Sequence, residues 1–187
     1  MRRAVFLDRD GTLIEEAAYL DRLERLVFFP YSIDAVRLLN EAGFATVVIT
    51  NQSGVGRGMY DEAFVIRTHD LMSEKLAAGG ARIDCYYYCP HDRDAVVDRY
   101  RVDCDCRKPA AGMLRRAASE MHLDLPRSFV VGDKWTDVRA AEAAGARGIL
   151  VRTGYGRSNE STRREDVHPA RVVDNLIAAV SWILREP

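Results

Sequence analysis

The feature that most constrains the fold is a regular alternation of short apolar runs with amphipathic stretches. Apolar or β-branched runs typical of buried strands occur at 4–7, 44–50, 83–89, 128–133 and 148–151. Stretches with helical periodicity lie at 32–42, 61–78, 112–122 and 136–144, and a short strand with a last helix fits 172–184. Repetition of strand, helix and strand predicts an α/β fold, a Rossmann-like, doubly wound and mainly parallel sheet with helices on both faces. We expect one domain over 1–187.

Composition and charge narrow the class of protein. Of the 187 residues 48% are apolar and 29% are charged, and the formal net charge is −1. Such a chain has no broad basic surface, so we expect no nucleic-acid partner. No apolar stretch approaches membrane-spanning length, and the N-terminus lacks the apolar core of a signal peptide. We therefore expect a soluble, cytoplasmic monomer with no membrane partner.

Polar residues cluster directly after three of the predicted strands. The segments are 8–11, 50–53 and 133–137. In an open parallel sheet, ligands bind beyond the carboxyl ends of the strands, so we expect these segments to meet there. Within the first, Asp8 and Asp10 are two residues apart, which places their side chains on one side of an extended segment. Arg9 should then point the other way, as a surface or structural charge, and Gly11 permits a sharp turn.

A second cluster consists of three cysteines and one histidine within the segment 89–106, which we call the zinc loop. Three thiolates and one imidazole make a closed ligand set of the kind that holds structural zinc, and the predicted ligands are Cys89, His91, Cys104 and Cys106. The alternative is that these cysteines are buried free thiols. Cys85, on a predicted strand, is better explained as a packed thiol. Residues 92–103 are rich in charge with little to pack, so zinc would hold them in place.

The motifs DRDGT, ITNQSG, RKP and VVGDKWTD together resemble the four signature motifs of the haloacid dehalogenase superfamily of phosphotransferases. The resemblance implies that Asp8 is a nucleophile that forms an aspartyl-phosphate and that Asp10 is the general acid and base. It further implies that Thr50 and Lys108 hold the transferring phosphoryl group. Mg²⁺ would be held by the Asp8 carboxylate, the Asp10 backbone carbonyl and Asp133.

Several residues near these motifs have more than one interpretation. Pro109 is expected to start the next helix. Asp137 could orient magnesium-bound waters or Lys134, could cap a helix, or could support the residues that contact the ligand. Lys134 itself could touch substrate or remain a surface lysine.

The spacing between the motifs leaves no room for a cap domain. We therefore expect an open site in which short loops recognise the substrate. By resemblance, the substrate-binding residues are Glu16, Ala17, Ala18, Tyr19, Thr50, Asn51, Gln52, Ser53, Arg107, Lys108 and Lys134. The residues Glu16 to Tyr19 could equally be ordinary surface residues.

The run CPH…CDCRKPAAGM is similar to the zinc-bearing branch of the superfamily, which includes heptose bisphosphate and histidinol-phosphate phosphatases. The segments TNQSGVGRG, GDK and LVRTGYG look like the heptose bisphosphate family. That resemblance implies Mg²⁺-dependent removal of the 7-phosphate from D-glycero-D-manno-heptose 1,7-bisphosphate, in nucleotide-activated heptose biosynthesis. Arg57 and Arg107 would suit a second phosphate. A histidinol-phosphate phosphatase, or an inactive zinc-stabilised binding module, are the alternatives.

Overall fold

The computed structural model describes residues 1–162 and 164–186 and has one six-stranded sheet in the order β3-β2-β1-β4-β5-β6. The strands are β1 (Ala4–Leu7), β2 (Ala45–Asn51), β3 (Cys85–Cys89), β4 (Phe129–Gly132), β5 (Arg147–Val151) and β6 (Arg171–Val173). Every neighbouring pair is parallel. The predicted α/β fold class is therefore confirmed, and the sheet is wholly rather than mainly parallel over the described residues.

Helices cover both faces of the sheet. They are α1 (Ser32–Glu41), α2 (Ser53–Gly56), α3 (Glu62–Ala78), α4 (Gly112–Met121), α5 (Trp135–Ala144), α6 (Gly156–Ser161) and α7 (Leu176–Ile183). Val5 and Leu7 of β1 pack with residues of α1, α3 and α7, whereas Ala4 and Phe6 pack with residues of α4 and α5. Alternate residues of a strand point to opposite faces, so the apolar run of β1 is buried from both sides.

The connection after β1 runs from residue 8 to residue 31. It contains one 3₁₀ turn (Leu23–Arg25) and two isolated bridges, which link Ile14 to Asp10 and to Phe28. The connection after β3 holds most of the zinc loop and one 3₁₀ turn (Asp98–Tyr100). Neither connection forms a further domain, which agrees with the predicted absence of a cap. The prediction of one domain over 1–187 includes Arg163 and Pro187, which lie outside the described residues, and it stays a prediction.

The prediction that Pro109 starts a helix is wrong. Helix α4 begins at Gly112, three residues later, because the chain first closes a turn. In that turn the amide of Ala110 donates to the Arg107 carbonyl at 2.9 Å, and the amide of Gly112 donates to the Asp105 carbonyl at 2.8 Å. This turn carries Lys108 toward the sheet before the helix leads the chain away.

In residues 1–162 and 164–186, no helix combines the length and the apolar character that a membrane crossing requires.

Candidate active site

A cavity of about 590 Å³ opens at the carboxyl ends of the central strands. The predicted catalytic and substrate-binding residues that line it are Asp8, Asp10, Glu16, Ala18, Tyr19, Thr50, Asn51, Gln52, Ser53, Arg107, Lys108 and Lys134. Ala17 was predicted with them but does not line the cavity. Strands β2, β1 and β4 are neighbours in the parallel sheet, so the motifs that follow them meet at the same edge.

Lys108 lies at the floor of the cavity between two carboxylates. Its Nζ is 2.9 Å from Asp8 Oδ1 and 2.6 Å from Asp137 Oδ1, and it donates to the Ile49 carbonyl at 2.9 Å. Burial raises the pKa of Asp8 to about 6, despite the opposing effect of Lys108. Burial would lower the pKa of Lys108, but the charges of Asp137 and Asp8 outweigh it and raise that pKa. Lys108 therefore carries a buried positive charge directly beside Asp8.

Asp137 contributes to this arrangement in two ways. Its Oδ1 pairs with Lys108, and its Oδ2 accepts a hydrogen bond from the Lys134 backbone amide at 3.0 Å. The second contact satisfies a free amide at the start of α5, which is a helix-capping role. Of the interpretations that the sequence allows for Asp137, the contacts support two, namely capping of α5 and support of a site residue, which is Lys108.

Arg9 differs from its prediction. The side chain is 2% exposed, so the surface alternative is wrong and the structural alternative holds. Its Nε and Nη2 donate to the two Asp10 carboxylate oxygens at 3.0 and 3.1 Å, and Nη2 also donates to Gln52 Oε1 at 3.0 Å. These acceptors compensate the buried charge, which explains why the arginine does not turn outward. Burial favours a higher pKa for Asp10, but Arg9 and Gln52 outweigh it and lower that pKa.

Asp8, Asp133 and Asp137 form a group of carboxylates that could hold a metal ion, with one oxygen of each within 4.8 Å of the others. Asp133 is fully buried. Its Oδ2 accepts from the Tyr155 amide at 2.8 Å, whereas its Oδ1 has no hydrogen-bond partner among residues 1–162 and 164–186. Burial and repulsion from Asp8 raise the pKa of Asp133 to about 8. Such a donor set fits a divalent cation, which would relieve both the repulsion and the unpaired oxygen.

Two glycines allow this close packing. Gly11 has φ +78° and Gly154 has φ +52°, in the left-handed region that favours glycine. A Cβ atom at either position would overlap the Asp133 carboxylate. The turn predicted at Gly11 is therefore present, and it leaves room for the buried carboxylate.

The rim of the cavity includes the loop predicted to contact substrate. Glu16 Oε1 accepts from the Ala18 amide at 2.7 Å, and its Oε2 lies 3.5 Å from Lys134 Nζ. Lys134 Nζ also lies 4.6 Å from the ring centroid of Tyr155. Burial lowers the pKa of Lys134, but the surrounding carboxylates, Asp8 first among them, outweigh it and raise that pKa. Lys134 is thus directed toward the cavity rather than into open solvent.

The four predicted zinc ligands come together in the structure. Their ligand atoms all lie within 4.8 Å of one another. The Sγ of Cys106 is 3.0 Å from that of Cys89 and 3.2 Å from that of Cys104, and 3.3 Å from Nδ1 of His91. Three sulfur atoms and one ring nitrogen around a common centre are the donor set of a structural zinc site. Cys85 lies outside this group and packs against the core beneath α4, as predicted.

The segment 92–103 packs better than its sequence suggests. Ala95 is 1% exposed and Tyr100 is 6% exposed, and both belong to one buried cluster with Val55 and Val65. The Tyr100 hydroxyl also donates to Glu62 at 2.6 Å. The expectation that this segment has little to pack is therefore wrong, since two of its few apolar residues form a small core with α2 and α3.

The two arginines considered for a second phosphate have different positions. Arg107 lines the cavity and donates to the His91 carbonyl at 2.8 Å. Arg57 does not line the cavity, and its Nη2 lies 3.2 Å from Asp92 Oδ2. Asp92 also attracts Arg107, at 3.6 Å. The geometry therefore favours Arg107 over Arg57 as a residue that faces a ligand.

Further cavity residues were not predicted from the sequence, namely Leu20, Tyr60, Thr136 and Tyr155. Tyr155 lies in the run LVRTGYG, which was noted only for its resemblance, and its position after β5 was the available signal. No motif pointed to Tyr60, because its contact with the site depends on the path of the chain after α2.

Relatives found by sequence and relatives found by structure belong to the same family of phosphatases. Residues 105–179 match the Hydrolase_like family, described as HAD-hydrolase-like. A D-glycero-D-manno-heptose-1,7-bisphosphate 7-phosphatase of Thermosynechococcus vestitus is 44% identical, over 97% of this chain and 95% of the relative. A D-glycero-beta-D-manno-heptose-1,7-bisphosphate 7-phosphatase of Escherichia coli is 42% identical, over 87% of this chain and 86% of the relative.

The crystal structure of D,D-heptose 1,7-bisphosphate phosphatase from B. bronchiseptica, complexed with magnesium and phosphate, has a TM-score of 0.89 and 34% identity. The alignment covers 99% of each chain. The corresponding enzyme of Burkholderia thailandensis has a TM-score of 0.73 and 30% identity, covering 99% of this chain and 100% of that one. From these identities and coverages, the chain belongs to the heptose-1,7-bisphosphate 7-phosphatase family of haloacid dehalogenase-like hydrolases.

Proposed function

We propose that this chain is a Mg²⁺-dependent phosphatase that removes the 7-phosphate from D-glycero-D-manno-heptose 1,7-bisphosphate and leaves the 1-phosphate. The observation that carries the proposal is the buried contact between Asp8 and Lys108 at the floor of an open cavity. It supplies a carboxylate nucleophile next to a fixed positive charge, which phosphoryl transfer requires. The names of the relatives at more than 40% identity support the choice of sugar.

In the first half of the reaction, a carboxylate oxygen of Asp8 attacks the phosphorus atom while the bond to the sugar oxygen breaks. Asp10 must carry a proton at this step, although Arg9 and Gln52 lower its pKa, and it gives that proton to the departing sugar oxygen, so the product leaves as an alcohol. In the second half, Asp10 takes a proton from water, which attacks the phosphorus of the aspartyl-phosphate and restores Asp8. Inorganic phosphate is released, and the enzyme returns to its starting state.

The transferring phosphoryl group needs positive charge and hydrogen-bond donors around its oxygens. Lys108 provides a buried ammonium, and Thr50, which is 1% exposed, provides a hydroxyl at the end of β2. Asp137 keeps Lys108 charged and fixes its direction. Fixed charges in a site shielded from water stabilise the transition state without a cost for reorganisation.

Mg²⁺ is the metal that we propose for the carboxylates of Asp8 and Asp133, with the Asp10 backbone carbonyl as a third ligand. The fully buried Oδ1 of Asp133, which has no hydrogen-bond partner among the described residues and lies 3.8 Å from Lys134 Nζ, supports this assignment. When bound, the ion neutralises charge on the phosphoryl oxygens and on Asp8.

We assign the second metal, Zn²⁺, to Cys89, His91, Cys104 and Cys106, with a structural role. Because Arg107 follows Cys106 directly and donates to the His91 carbonyl, an ordered zinc loop would fix the Arg107 side chain at the cavity.

The sugar and its second phosphate would occupy the rim. We propose that Arg107 and Lys134 contact the 1-phosphate, because both are cations that line the cavity beyond Asp8. Glu16, Ala18, Tyr19, Asn51 and Ser53, which line the cavity, would contact the sugar. The absence of a cap over the described residues leaves space for this bulky, doubly charged substrate. Cysteines that bind zinc rather than form disulfides are typical of a reducing compartment, which supports a protein that works in the cytoplasm, and we propose that it does so as a monomer.

The proposed substrate is tested by comparing kcat/KM for three phosphate esters in Mg²⁺, each under identical conditions. The three are the heptose 1,7-bisphosphate, fructose 1,6-bisphosphate and histidinol phosphate. The cationic rim should favour the heptose bisphosphate and disfavour histidinol phosphate, which carries an amine and no second phosphate. A higher kcat/KM for histidinol phosphate would assign the protein to the other activity of the zinc-bearing branch. Failure to release phosphate from any of the three would support an inactive binding module.

A further inference from the structure

A chain of hydrogen bonds leads from Tyr60 to Asp10 along one wall of the cavity. The Tyr60 hydroxyl donates to Gln52 Oε1 at 2.9 Å. Gln52 Nε2 in turn donates to Asp10 Oδ2 at 3.0 Å and to Thr50 Oγ1 at 2.8 Å. The guanidinium of Arg9 donates to the same Gln52 oxygen and to both oxygens of Asp10. Every polar atom of the Gln52 side chain is therefore in use.

These contacts fix the orientation of the Gln52 amide. Its oxygen receives hydrogen bonds from Tyr60 and Arg9, and its nitrogen gives hydrogen bonds to Asp10 and Thr50. A flipped amide would place its NH₂ group against the guanidinium, which has no acceptor. Gln52 is only 2% exposed, so water cannot compensate for that loss. The amide donor therefore stays directed at Asp10.

Gln52 and Tyr60 anchor Asp10 to the rest of the fold in a way that Arg9 cannot. Arg9 and Asp10 are neighbours in the chain, so their ion pair moves with the loop that contains both. Gln52 follows β2, and Tyr60 precedes α3 by two residues. The Tyr60 ring is held against Gly54, where any Cβ atom would overlap it, and against the Phe64 ring at a centroid distance of 5.3 Å.

We propose that Tyr60 is a positioning residue that acts through Gln52 to hold the Asp10 carboxylate toward the leaving oxygen of the substrate. This inference rests on the proposed function, because it requires that Asp10 protonates that oxygen. It also changes the role of Gln52, which was predicted to bind substrate, to support of Asp10. Catalytic groups must be held closely, since a misplacement of about 1 Å can reduce a rate by about a hundredfold.

The test uses two esters with the same ring and different leaving groups, phenyl phosphate and 4-nitrophenyl phosphate. Phenolate is the more basic leaving group, so its departure depends more on protonation by Asp10. The value of kcat/KM depends only on the steps up to and including departure of the leaving group. It therefore reports on the first half of the reaction, in which Asp10 gives its proton. Tyr60→Phe, which removes only the hydroxyl, should lower kcat/KM roughly three- to tenfold for phenyl phosphate, as expected for one lost hydrogen bond. The loss for 4-nitrophenyl phosphate should be clearly smaller.

Two further variants separate positioning from other effects. Tyr88→Phe is the matched control, because its hydroxyl donates to Glu62 at 2.7 Å and the residue does not line the cavity. It should leave the ratio of the two kcat/KM values unchanged. In an Asp10→Asn background, Tyr60→Phe should have no additional effect on that ratio, because the two residues act through one group.

Equal losses for the two esters, a raised KM with kcat unchanged, or an additive effect in the Asp10→Asn background would each overturn the inference. The second of these results would mean that Tyr60 binds substrate directly. Neither ester contains a heptose, so the outcome does not depend on the sugar. Turnover of both esters without turnover of the heptose bisphosphate would contradict the proposed substrate and leave the role of Tyr60 to be decided by this test.

Discussion

The ammonium nitrogen of Lys108 lies 2.6 Å from Oδ1 of Asp137, and neither side chain is more than 3% exposed. This contact joins the turn that follows the zinc loop to the first turn of α5. The charge on Asp137 stabilises buried Lys108, whose other two contacts are Asp8 and the Ile49 carbonyl.

Asp137→Asn should therefore reduce both stability and activity. The Asn oxygen can still accept from the Lys134 amide, but its NH₂ group would then face the ammonium of Lys108. We expect the free energy of unfolding to fall by about 1–3 kcal/mol and kcat/KM to fall on the order of tenfold or more. Chemical denaturation and phosphate-release kinetics measure the two effects. The control is Asp166→Asn, at a half-exposed ion pair, and an equal effect there would contradict the assignment.

Replacement of the proposed nucleophile should abolish turnover and preserve the fold. Asn at position 8 is nearly isosteric with Asp but cannot form the aspartyl-phosphate. Asp10→Asn should retain a residual rate, reduced by about 10²- to 10⁴-fold through loss of acid–base catalysis. Both are measured as magnesium-dependent phosphate release, with circular dichroism to verify folding. Substantial turnover by Asp8→Asn would show that another residue is the nucleophile.

Magnesium should stabilise the folded protein through the site at Asp8 and Asp133. An ion that binds only the folded state adds about 2.7 kcal/mol at a concentration of 100 times Kd, which raises Tm by roughly 2–4 °C per kcal/mol at this chain length. Asp133→Asn should largely remove the magnesium-dependent rise in Tm. Asp174→Asn, at a largely exposed carboxylate, should retain it. An undiminished rise in Asp133→Asn would place the ion elsewhere.

The zinc loop gives a separate prediction. Purified protein should contain one zinc ion per chain, as the four-ligand set requires. Cys106→Ser should lower the zinc content and Tm, and increase amide hydrogen exchange in residues 92–103. Cys85→Ser is the matched control, because Cys85 lies outside the ligand group. Elemental analysis without zinc, together with freely titrating thiols in the folded protein, would contradict the assignment.

The pH dependence of stability should include a contribution from His69, which is 6% exposed and stacks on Tyr86 at 4.6 Å. Burial lowers its pKa from 6.5 to about 3. Between these values the unfolded chain binds the proton and the folded chain does not, so stability falls as the pH drops below 6.5. The loss from this group should reach about 2 kcal/mol at pH 5.

His69→Phe keeps an aromatic ring and removes the titrating group, so its stability should fall less between pH 7 and pH 5. The comparison is made by urea denaturation at each pH. His168→Gln serves as the control, since that side chain is 82% exposed. An unchanged pH dependence in His69→Phe would mean that the proton is accommodated in the folded state.

The sequence allowed prediction of the features that depend on local pattern. Strand β1 and helix α3 lie where the apolar run at 4–7 and the helical periodicity at 61–78 predict them, and Asp61 caps the helix. The grouping of Cys89, His91, Cys104 and Cys106 was predicted from residue types that favour zinc, and the motif residues were predicted because four motifs occur in the order of the family. Helices α2 and α6 were not predicted, because four- and six-residue helices are too short to show a period and depend on tertiary contacts.

Other features could not be predicted because they depend on contacts between distant parts of the chain. The burial of Arg9 requires Gln52, which lies 43 residues away. The pairing of Lys108 with Asp137 requires that two loops converge under the cavity. Tyr60 reaches the site only after the turn that follows α2. In each case the residue type is compatible with several roles, and the role follows from the residue that it contacts in the folded chain.

The central claim is that Asp8 receives the 7-phosphate of the heptose bisphosphate. The most direct test is ³¹P NMR of the reaction of the magnesium-loaded protein with D-glycero-D-manno-heptose 1,7-bisphosphate. We expect inorganic phosphate and heptose 1-phosphate as the first products, and no reaction with the Asp8→Asn variant. Accumulation of heptose 7-phosphate instead would contradict it, since the rim and the catalytic pocket would then bind the opposite ends of the substrate.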